Sequence, residues 1–330
     1  MKLISRLFSW ACLLFTLVIT GLALLTHRYG WPIYLEIFSH FQLQYFVVVT
    51  LLATLLILLR RSWMALAALF CAAILSTQVV AWYTPFSFAN QAANYRVLIA
   101  NLNVGNTDAT QTLALMEAEQ PDLALFMEVN ETMAEQLETL KTTLSYSSNQ
   151  TIAANPGMVL YSKMPLTNVR VELFDTERSQ NLVAQLQVAG QGLSLVAAHP
   201  LPPVRQRIFH SRNRLLNAVG QYVQEQANPV LLIGDLNTTM WSPYYRNLEY
   251  QTGLKNARDG FGIWPTWPTK RTYEGLPNLG RWFLQLVQIP IDHCLVSPEI
   301  IVAGLHTGSE TGSDHLPVIV DLWLGSATPV

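Results

Sequence analysis

The chain has few charged residues, few cysteines and no surplus of basic residues. Charged residues make up 13% of its 330 residues and hydrophobic residues 51%, a balance too apolar for an ordinary soluble domain. The formal net charge of −2 gives no strong positive field for attracting nucleic acid, and no basic footprint supports such a partner. Internal repeats and low-complexity tracts are also missing from the sequence.

The cysteines exclude two kinds of stabilising site. Cys12 and Cys71 lie in apolar runs, and Cys294 is alone in the polar remainder of the chain. No disulfide can therefore form within the polar part, and no Cys-x-x-Cys metal knuckle exists. Each cysteine is expected to be a small apolar filler.

Long apolar runs occupy the first 85 or so residues, at 7–26, 46–59 and 63–82. Each is about long enough to cross a hydrocarbon core of roughly 30 Å, if 43–45 extend the second. A cleaved signal peptide does not fit the first run, because the run is too long and lacks a small-x-small cleavage site. We predict three transmembrane helices. The predicted divisions are a membrane region at 1–84, a linker at 85–94 and a polar domain at 95–330.

Basic residues orient the predicted membrane region. Lys2 and Arg6 precede the first run, and Arg60-Arg61 separate the second run from the third. The positive-inside rule places these residues in the cytoplasm, and three spans then carry everything after Tyr83 outside. We expect a multi-pass inner-membrane protein whose polar domain is periplasmic or extracellular.

The polar domain alternates between helix-like and strand-like segments. Predicted helices begin at Thr107 or Asp108 and run to about 120, and lie at 131–141 and 204–226. Strands are predicted at 95–103, 121–128, 157–162, 168–174, 181–188, 192–198, 230–235, 290–296, 300–304 and 316–323. Such a mixture predicts a two-sheet α/β sandwich flanked by helices. The loop-rich stretch 255–285 is predicted to face the active site or the membrane.

Polar side chains recur where the predicted strands end or begin. The clearest runs are IGDLN at 233–237 and SDHLP at 313–317. Taken singly, Glu128 reads as a capping or surface acid, Asp235 and Asn237 as an Asx-turn, and Asp292 as half of an ion pair. Together, carboxylate, amide and imidazole groups are the parts that bind a divalent metal and activate water. The full set is Asn103, Glu128, His199, Asp235, Asn237, Asp292, Asp314 and His315.

Six sequence blocks in this order resemble the endonuclease/exonuclease/phosphatase superfamily, which includes DNase I-like nucleases, neutral sphingomyelinases and inositol phosphatases. The blocks are VLIANLN, DLALFME, LSLVAAH, VLLIGDLN, IPIDH and the SDH before LPVIVDL. The resemblance covers about 95–325 and not the membrane region. It implies an α/β fold, a four-layer α/β/β/α sandwich of the DNase I type, with the site at one rim of the two sheets.

The resemblance also implies a metal site. Glu128 would be the principal ligand of Mg²⁺, with Mn²⁺ as a second candidate, because Mg²⁺ prefers carboxylate and water ligands. Asn103 would lie beside the ion, and Asp314 would complete the metal side. The family often has an acidic residue two positions after this asparagine, where this chain has Gly105. Water would then replace that ligand, or the metal shell would be thinner.

Catalytic roles follow from the same resemblance. Asp235 would orient or deprotonate the attacking water, and Asn237 would donate a hydrogen bond to a phosphoryl oxygen. His315 would contact the phosphate or act as a base, with Asp292 fixing its tautomer and raising its basicity. His199 would stabilise the transition state or protonate the leaving oxygen. The implied reaction is in-line hydrolysis of a phosphoester.

Two further features admit a structural and a functional interpretation. Arg205, Arg207, Arg212 and Arg214 are interpreted as a solvated face of the long helix, and Arg205 or Arg207 could instead reach a substrate phosphate. The tryptophans at 264–267 are interpreted as loop packing, with contact to the lipid interface as the alternative.

The sequence thus predicts a membrane-anchored, metal-dependent phosphodiesterase or nuclease. The alternatives are a sphingomyelinase-like phospholipid phosphodiesterase and a catalytically silent binding or scaffold module. Expected partners are a phosphoester substrate, either nucleic acid or phospholipid, and the lipid bilayer. No protein partner can be inferred.

Overall fold

A computed structural model of the protein describes residues 2–30, 32–84, 92–148, 157–174, 179–273 and 285–325, with Pro277, Gly280 and Trp282. Most of the predicted linker, residues 85–91, lies outside this range. The described helices are α1 (Lys2–Arg28), α2 (Ile33–Glu36), α3 (Gln42–Leu58), α4 (Ser62–Ser76), α5 (Thr110–Glu119), α6 (Glu131–Leu137), α7 (Gln206–Gln224) and α8 (Pro243–Thr252). The described strands are β1 (Tyr95–Asn101), β2 (Leu123–Val129), β3 (Tyr146–Ser147), β4 (Gly157–Ser162), β5 (Thr167–Leu173), β6 (Gln180–Val188), β7 (Gln191–Ala197), β8 (Val230–Asp235), β9 (Lys255–Asn256), β10 (Asp292–Val296), β11 (Ile301–Thr307) and β12 (Val318–Trp323).

Among the helices that the structure describes, two N-terminal ones, not three, are long and apolar enough to cross a membrane. They are Leu3–Arg28 and the continuous stretch Ile33–Leu58, in which a 3₁₀ turn joins α2 to α3. The predicted third span forms α4, which has only 15 residues and is followed by turns. A 15-residue helix is shorter than the roughly 20 residues that a bilayer core requires.

Small side chains let the three apolar helices pack closely. Ala53 of α3 and Ala65 and Ala68 of α4 are buried in one cluster with Cys12 of α1. Small residues at such contacts allow helix backbones to approach each other, as they do in membrane bundles. Large apolar side chains point away from these contacts and are exposed, among them Leu14, Phe15, Leu51, Leu66 and Phe70.

Two six-stranded sheets form the centre of the polar domain, in the orders β11-β12-β1-β2-β4-β3 and β5-β6-β7-β8-β10-β9. Their facing sides are lined by alternate apolar residues, such as Val97 and Ile99 of β1 against Leu231 and Ile233 of β8. In a strand, residues two apart share a face, so this alternation dictates which side of each sheet is inward. The main core therefore lies between the sheets.

Helices cover the outer side of each sheet. α5 and α6 bury Leu115 and Met133 against the outward side chains of β1 and β2. α7 and α8 bury Leu215 and Leu248 against β7 and β8. The four-layer α/β/β/α prediction is therefore confirmed. Helix α8 was not predicted, although Ser242 before it accepts a hydrogen bond from the Tyr244 amide as an N-cap.

Candidate active site

The predicted site residues converge because six strands meet at one rim of the sandwich. β1 pairs in parallel with β2, and β7 with β8, so the carboxyl ends of each pair lie together. β10 runs antiparallel to β8, and their register sets Asp292 opposite Asp235. The start of β12 reaches the same rim beside β1.

A glycine lets the ends of β7 and β8 approach each other. Gly234 has φ 143°, and a Cβ atom there would overlap the carbonyl oxygen of Ala198. Only glycine tolerates this backbone angle and this contact. The close approach brings His199, which follows Ala198, next to Asp235, which follows Gly234.

Three candidate site residues have left-handed backbone angles. The φ values are 61° for Asn103, 55° for Glu128 and 49° for Asn237. Such angles are unfavourable for residues other than glycine and persist where the surroundings hold them, often at functional sites.

Asn101, which the sequence analysis missed, lies at the centre of the acidic group. Its side-chain amide donates to Glu128 Oε1 (3.0 Å) and to Asp235 Oδ2 (3.2 Å). One amide thus holds a carboxylate from each sheet. The available signal was its position two residues before Asn103, but the strand was predicted to run over 95–103, whereas β1 ends at Asn101.

The side chain of His199 is buried between the same two carboxylates. Its Nε2 atom lies 3.7 Å from Glu128 Oε1 and 3.6 Å from Asp235 Oδ2. That nitrogen has no hydrogen-bond partner among the described residues. Burial lowers the pKa of His199, although the Glu128 carboxylate opposes this effect. A buried polar atom without a partner is a natural contact point for a ligand.

His315 and Asp292 form a buried pair on the other side of Asp235. His315 Nδ1 lies 2.9 Å from Asp292 Oδ2, and His315 Nε2 lies 3.8 Å from Asp235 Oδ2. Burial alone would lower the pKa of His315, but the hydrogen-bonded Asp292 carboxylate raises it to about 10. Burial and the Asp292 carboxylate raise the pKa of Asp235.

Asp235 and Asn237 show that the turn interpretation and the site interpretation describe the same geometry. Asp235 Oδ1 accepts from the Asn237 amide at 2.8 Å, which is an Asx-turn. The Asn237 side chain donates to the carbonyl of Pro200 and, at 3.3 Å, to Asp235 Oδ2. The turn therefore places the Asn237 amide group directly beside the acidic centre.

The side chain of Asn103 forms a hydrogen bond with Asp314. Its side-chain amide donates to Asp314 Oδ1 (2.7 Å), and its side-chain oxygen accepts from the Gly105 amide. Trp267 also donates to Asp314, through Nε1 at 3.3 Å. This contact places part of the predicted loop at 255–285 in the site. Gly105, which stands where the family often has an acidic residue, thus contacts Asn103 through its backbone N–H.

A cleft of about 510 Å³ opens beside these residues and is lined in part by Asn103, Gly105, Arg271 and Asp314. Arg271 was not predicted as a site residue. The local signal was the Lys270-Arg271 pair inside a loop that had been predicted to be functional. A guanidinium on a cleft wall suits a phosphate group.

The arginines predicted at the start of the long helix are exposed. Arg205 precedes α7 and Arg207 lies in its first turn, so their contact with a substrate phosphate stays a prediction. Arg212, interpreted as solvated, is instead fully buried and paired with Glu36. His293 also differs from the candidate site histidines, because its Nε2 contacts the carbonyl of Thr238 in the core.

The acidic centre suits a divalent cation. Asp235, Asp292 and His315 offer ligand atoms within 4.8 Å of one another. Two of these three groups are already joined by the Asp292–His315 hydrogen bond, whereas Asn103 and Asp314 of the predicted set line the open cleft. Two carboxylates sharing one amide repel each other, and a cation beside Glu128 would relieve that repulsion. Oxygen donors with room for water match Mg²⁺ chemistry.

Comparisons with known proteins agree on the fold. Residues 98–315 match the sequence profile described as the Endonuclease/Exonuclease/phosphatase family. No curated protein sequence matches the chain. An endonuclease/exonuclease/phosphatase from Beutenbergia cavernae has a similar structure, with TM-score 0.56 and 20% identity over 71% of this chain and 72% of that one. The structure of D. rerio TDP2 complexed with a single-strand DNA product has a TM-score of 0.58 and 16% sequence identity, over 70% of this chain and 99% of that one. Sphingomyelinase C from Streptomyces griseocarneus has a TM-score of 0.50 and 16% sequence identity, over 69% of this chain and 98% of that one.

Proposed function

Because the chain belongs to the endonuclease/exonuclease/phosphatase family, we propose that it is a membrane-anchored, divalent-metal-dependent phosphodiesterase. One observation carries the proposal. His199 Nε2, which has no hydrogen-bond partner in the described part of the chain, lies 3.7 Å from Glu128 and 3.6 Å from Asp235, two carboxylates that Asn101 holds together. A silent scaffold would have no need for this group, because clustered buried charges are unfavourable without a ligand.

Each proposed role follows from what the side chain faces. Asp235 orients the attacking water and accepts its proton, because its Oδ2 atom lies where both sheets converge. His315 is protonated at neutral pH beside Asp292 and stabilises negative charge on the phosphoryl group. Asn237 and the partnerless His199 Nε2 would donate to phosphoryl or leaving oxygens.

Glu128 and Asp314 would hold Mg²⁺, with Asn103 fixing Asp314 and Asn101 fixing Glu128. When bound, the ion would supply charge neutralisation for the phosphoryl oxygens. Mn²⁺ uses the same oxygen ligands and is the second candidate.

The metal requirement is testable with the full chain in detergent micelles. We expect hydrolysis of bis(p-nitrophenyl) phosphate with Mg²⁺ or Mn²⁺, and its loss with EDTA, because the carboxylates cannot neutralise a phosphoryl group themselves. The steady-state release of nitrophenolate measures the hydrolysis rate. Adding excess Mg²⁺ after EDTA should restore that rate. A rate unaffected by EDTA would contradict the metal role. No turnover across nitrophenyl, nucleic-acid and phospholipid substrates would favour the scaffold alternative.

Nucleic acid is the first proposed substrate class, supported by the fold shared with TDP2 bound to a DNA product. One observation favours a phospholipid as the second. Trp267, which contacts Asp314, belongs to a loop whose later residue Gln288 accepts a hydrogen bond from Gln44 of α3. The exposed Trp282, Leu286 and Val287 lie in the same loop. In the same assay, single-stranded DNA and phospholipid vesicles serve as the competing substrates.

We further propose that the catalytic domain faces the periplasm or the outside, with α4 returning the chain from the basic end of the bundle to the domain although this helix is shorter than a full span. It contacts one end of the helical bundle, where Trp241 bonds to both His27 and Gln78. At the opposite end, Arg61 donates to Ser9 beside the basic N-terminus. The positive-inside rule assigns that basic end to the cytoplasm.

Reporter fusions test this orientation. A phosphatase reporter that is active only outside the cytoplasm should be active when fused after Val330, because the domain and the basic end lie on opposite sides. The same reporter fused after Arg61 should be inactive and provides the control. Activity with the opposite pattern would reverse the proposed topology.

A further inference from the structure

A buried ion pair joins the N-terminal helices to the catalytic domain. Glu36, at the end of α2, is 1% exposed, and Arg212 of α7 is 0% exposed. Glu36 Oε1 accepts from Arg212 Nη2 (3.2 Å) and from Ser242 Oγ (2.6 Å). Its Oε2 lies 3.3 Å from His40 Nε2. Burying such a pair is unfavourable unless most of its donors and acceptors are satisfied, and here the carboxylate contacts three partners.

The same pair holds the segment 236–242, which we call the catalytic loop because it begins directly after Asp235. Arg212 Nη1 donates to the carbonyl of Asn237 at 2.9 Å. The Glu36 carboxylate accepts from Ser242 at the far end of the loop. One ion pair thus contacts the loop at both ends.

Other N-terminal residues contact the middle of the catalytic loop. His40 Nδ1 lies 3.0 Å from Thr239 Oγ1, and His27 Nδ1 lies 3.0 Å from the carbonyl of Trp241. Trp241 Nε1 donates to the carbonyl of Gln78 at 2.9 Å. The loop therefore lies between the strand that carries Asp235 and helices that were predicted only as an anchor.

Asn237 needs this support. Its φ of 49° is uncommon for a residue other than glycine, although asparagine tolerates it better than most, and contacts on both sides of the backbone help to hold it. The carbonyl that Arg212 binds belongs to this residue. A shift there would move the Asn237 amide that bonds Asp235 Oδ1 and the side chain that faces Asp235 Oδ2.

We propose that Glu36 is a positioning residue for phosphoester hydrolysis: through Arg212 it fixes the backbone of Asn237 and so the geometry of Asp235. The N-terminal helices then belong to the working enzyme and are more than a tether. The inference rests on the proposed function, but the order of the catalytic loop can be measured without any substrate.

The first test measures the loop directly in the full chain. In Glu36→Gln, which keeps the shape and removes the charge, we expect faster hydrogen–deuterium exchange at the amides of 237–244. The amides of β1 should exchange as in the wild type, which separates loop release from general unfolding. Unchanged exchange at 237–244 would overturn the proposal, whatever the enzyme hydrolyses.

The second test separates positioning from folding. Arg212→Lys keeps the charge opposite Glu36, but one ammonium cannot reproduce the fork that contacts both Glu36 and Asn237. We expect kcat to fall about 10- to 100-fold in both variants with KM changed less than about 3-fold, as for a misplaced catalytic group. Glu135→Gln changes an exposed acid on α6 and serves as the matched control.

A double variant tests whether Glu36 acts through Arg212. Adding Glu36→Gln to Arg212→Lys should lower kcat by much less than the product of the two single effects, because both disturb one contact. Multiplicative effects would contradict the pathway through Arg212. A wild-type kcat in folded Arg212→Lys would also overturn it. If the wild type hydrolyses no phosphoester, the proposed function fails while the exchange measurement still decides the role of Glu36.

Discussion

Replacing Asp235 by asparagine will lower kcat by about a thousandfold or more, equivalent to roughly 4 kcal/mol in the barrier, while the protein stays folded. Asp235 Oδ2 accepts from Asn101 and Asn237 and lies within 3.8 Å of the Nε2 atoms of His199 and His315. The variant places an amide group where these donors converge. It removes both the base and the charge that orients water.

Asp235→Asn should not lower the melting temperature in EDTA. Burial and the Asp292 carboxylate raise the pKa of Asp235, so the ionised form is unfavourable when no cation is bound. A neutral side chain of equal size removes that repulsion, and its oxygen can still accept from the Asn237 amide. Thermal unfolding of both proteins in EDTA measures this effect, and Glu135→Gln serves as the control for removing an exposed acid.

Retention of more than about a tenth of the wild-type kcat in Asp235→Asn would contradict its proposed role. A loss of activity together with a large fall in melting temperature would instead identify Asp235 as a structural residue. The two measurements therefore separate chemistry from folding.

Strand-end patterns predicted most of the candidate cluster because they report a local property, the point where an apolar run meets a polar residue. Glu128, Asp235, Asp292 and His315 were found in this way, and the sandwich brings them to one rim. Asn101 escaped because the strand was predicted to continue to residue 103, whereas β1 ends at Asn101. Its partner carboxylates come from β2 and β8, which are distant in the sequence.

Pairings between distant segments could not be predicted from one sequence. Arg212 was interpreted as solvated because arginine on an amphipathic helix is usually exposed, yet its partner Glu36 lies 176 residues away. The third apolar run, 63–82, was predicted to span a membrane from its composition alone. The helix that it forms, α4, ends at Ser76 and has only 15 residues. Local hydropathy shows where a segment is apolar, whereas helix length and charge pairing depend on the fold.

Replacing Asp292 by asparagine will move the alkaline limit of activity to lower pH. Asp292 raises the pKa of His315 to about 10, and burial acts in the opposite direction. Without the carboxylate, the pKa falls, so His315 loses its proton at a lower pH and no longer carries the charge that faces the phosphoryl group. Asp235 and Asp314 still raise the pKa in the variant, so the protonated fraction falls at alkaline pH and recovers on acidification.

At pH 8 we expect Asp292→Asn to lose about a hundredfold in kcat/KM, with part of the loss recovered as the pH is lowered towards 6. His315→Ala is the matched comparison, because a side chain that cannot be protonated gains nothing from acidification. Profiles of kcat/KM between pH 5 and 10 distinguish the two variants. If Asp292→Asn and the wild type gave parallel profiles, His315 would not act as a cation in the reaction. The pair would then serve to orient the imidazole, which is the general-base alternative for His315.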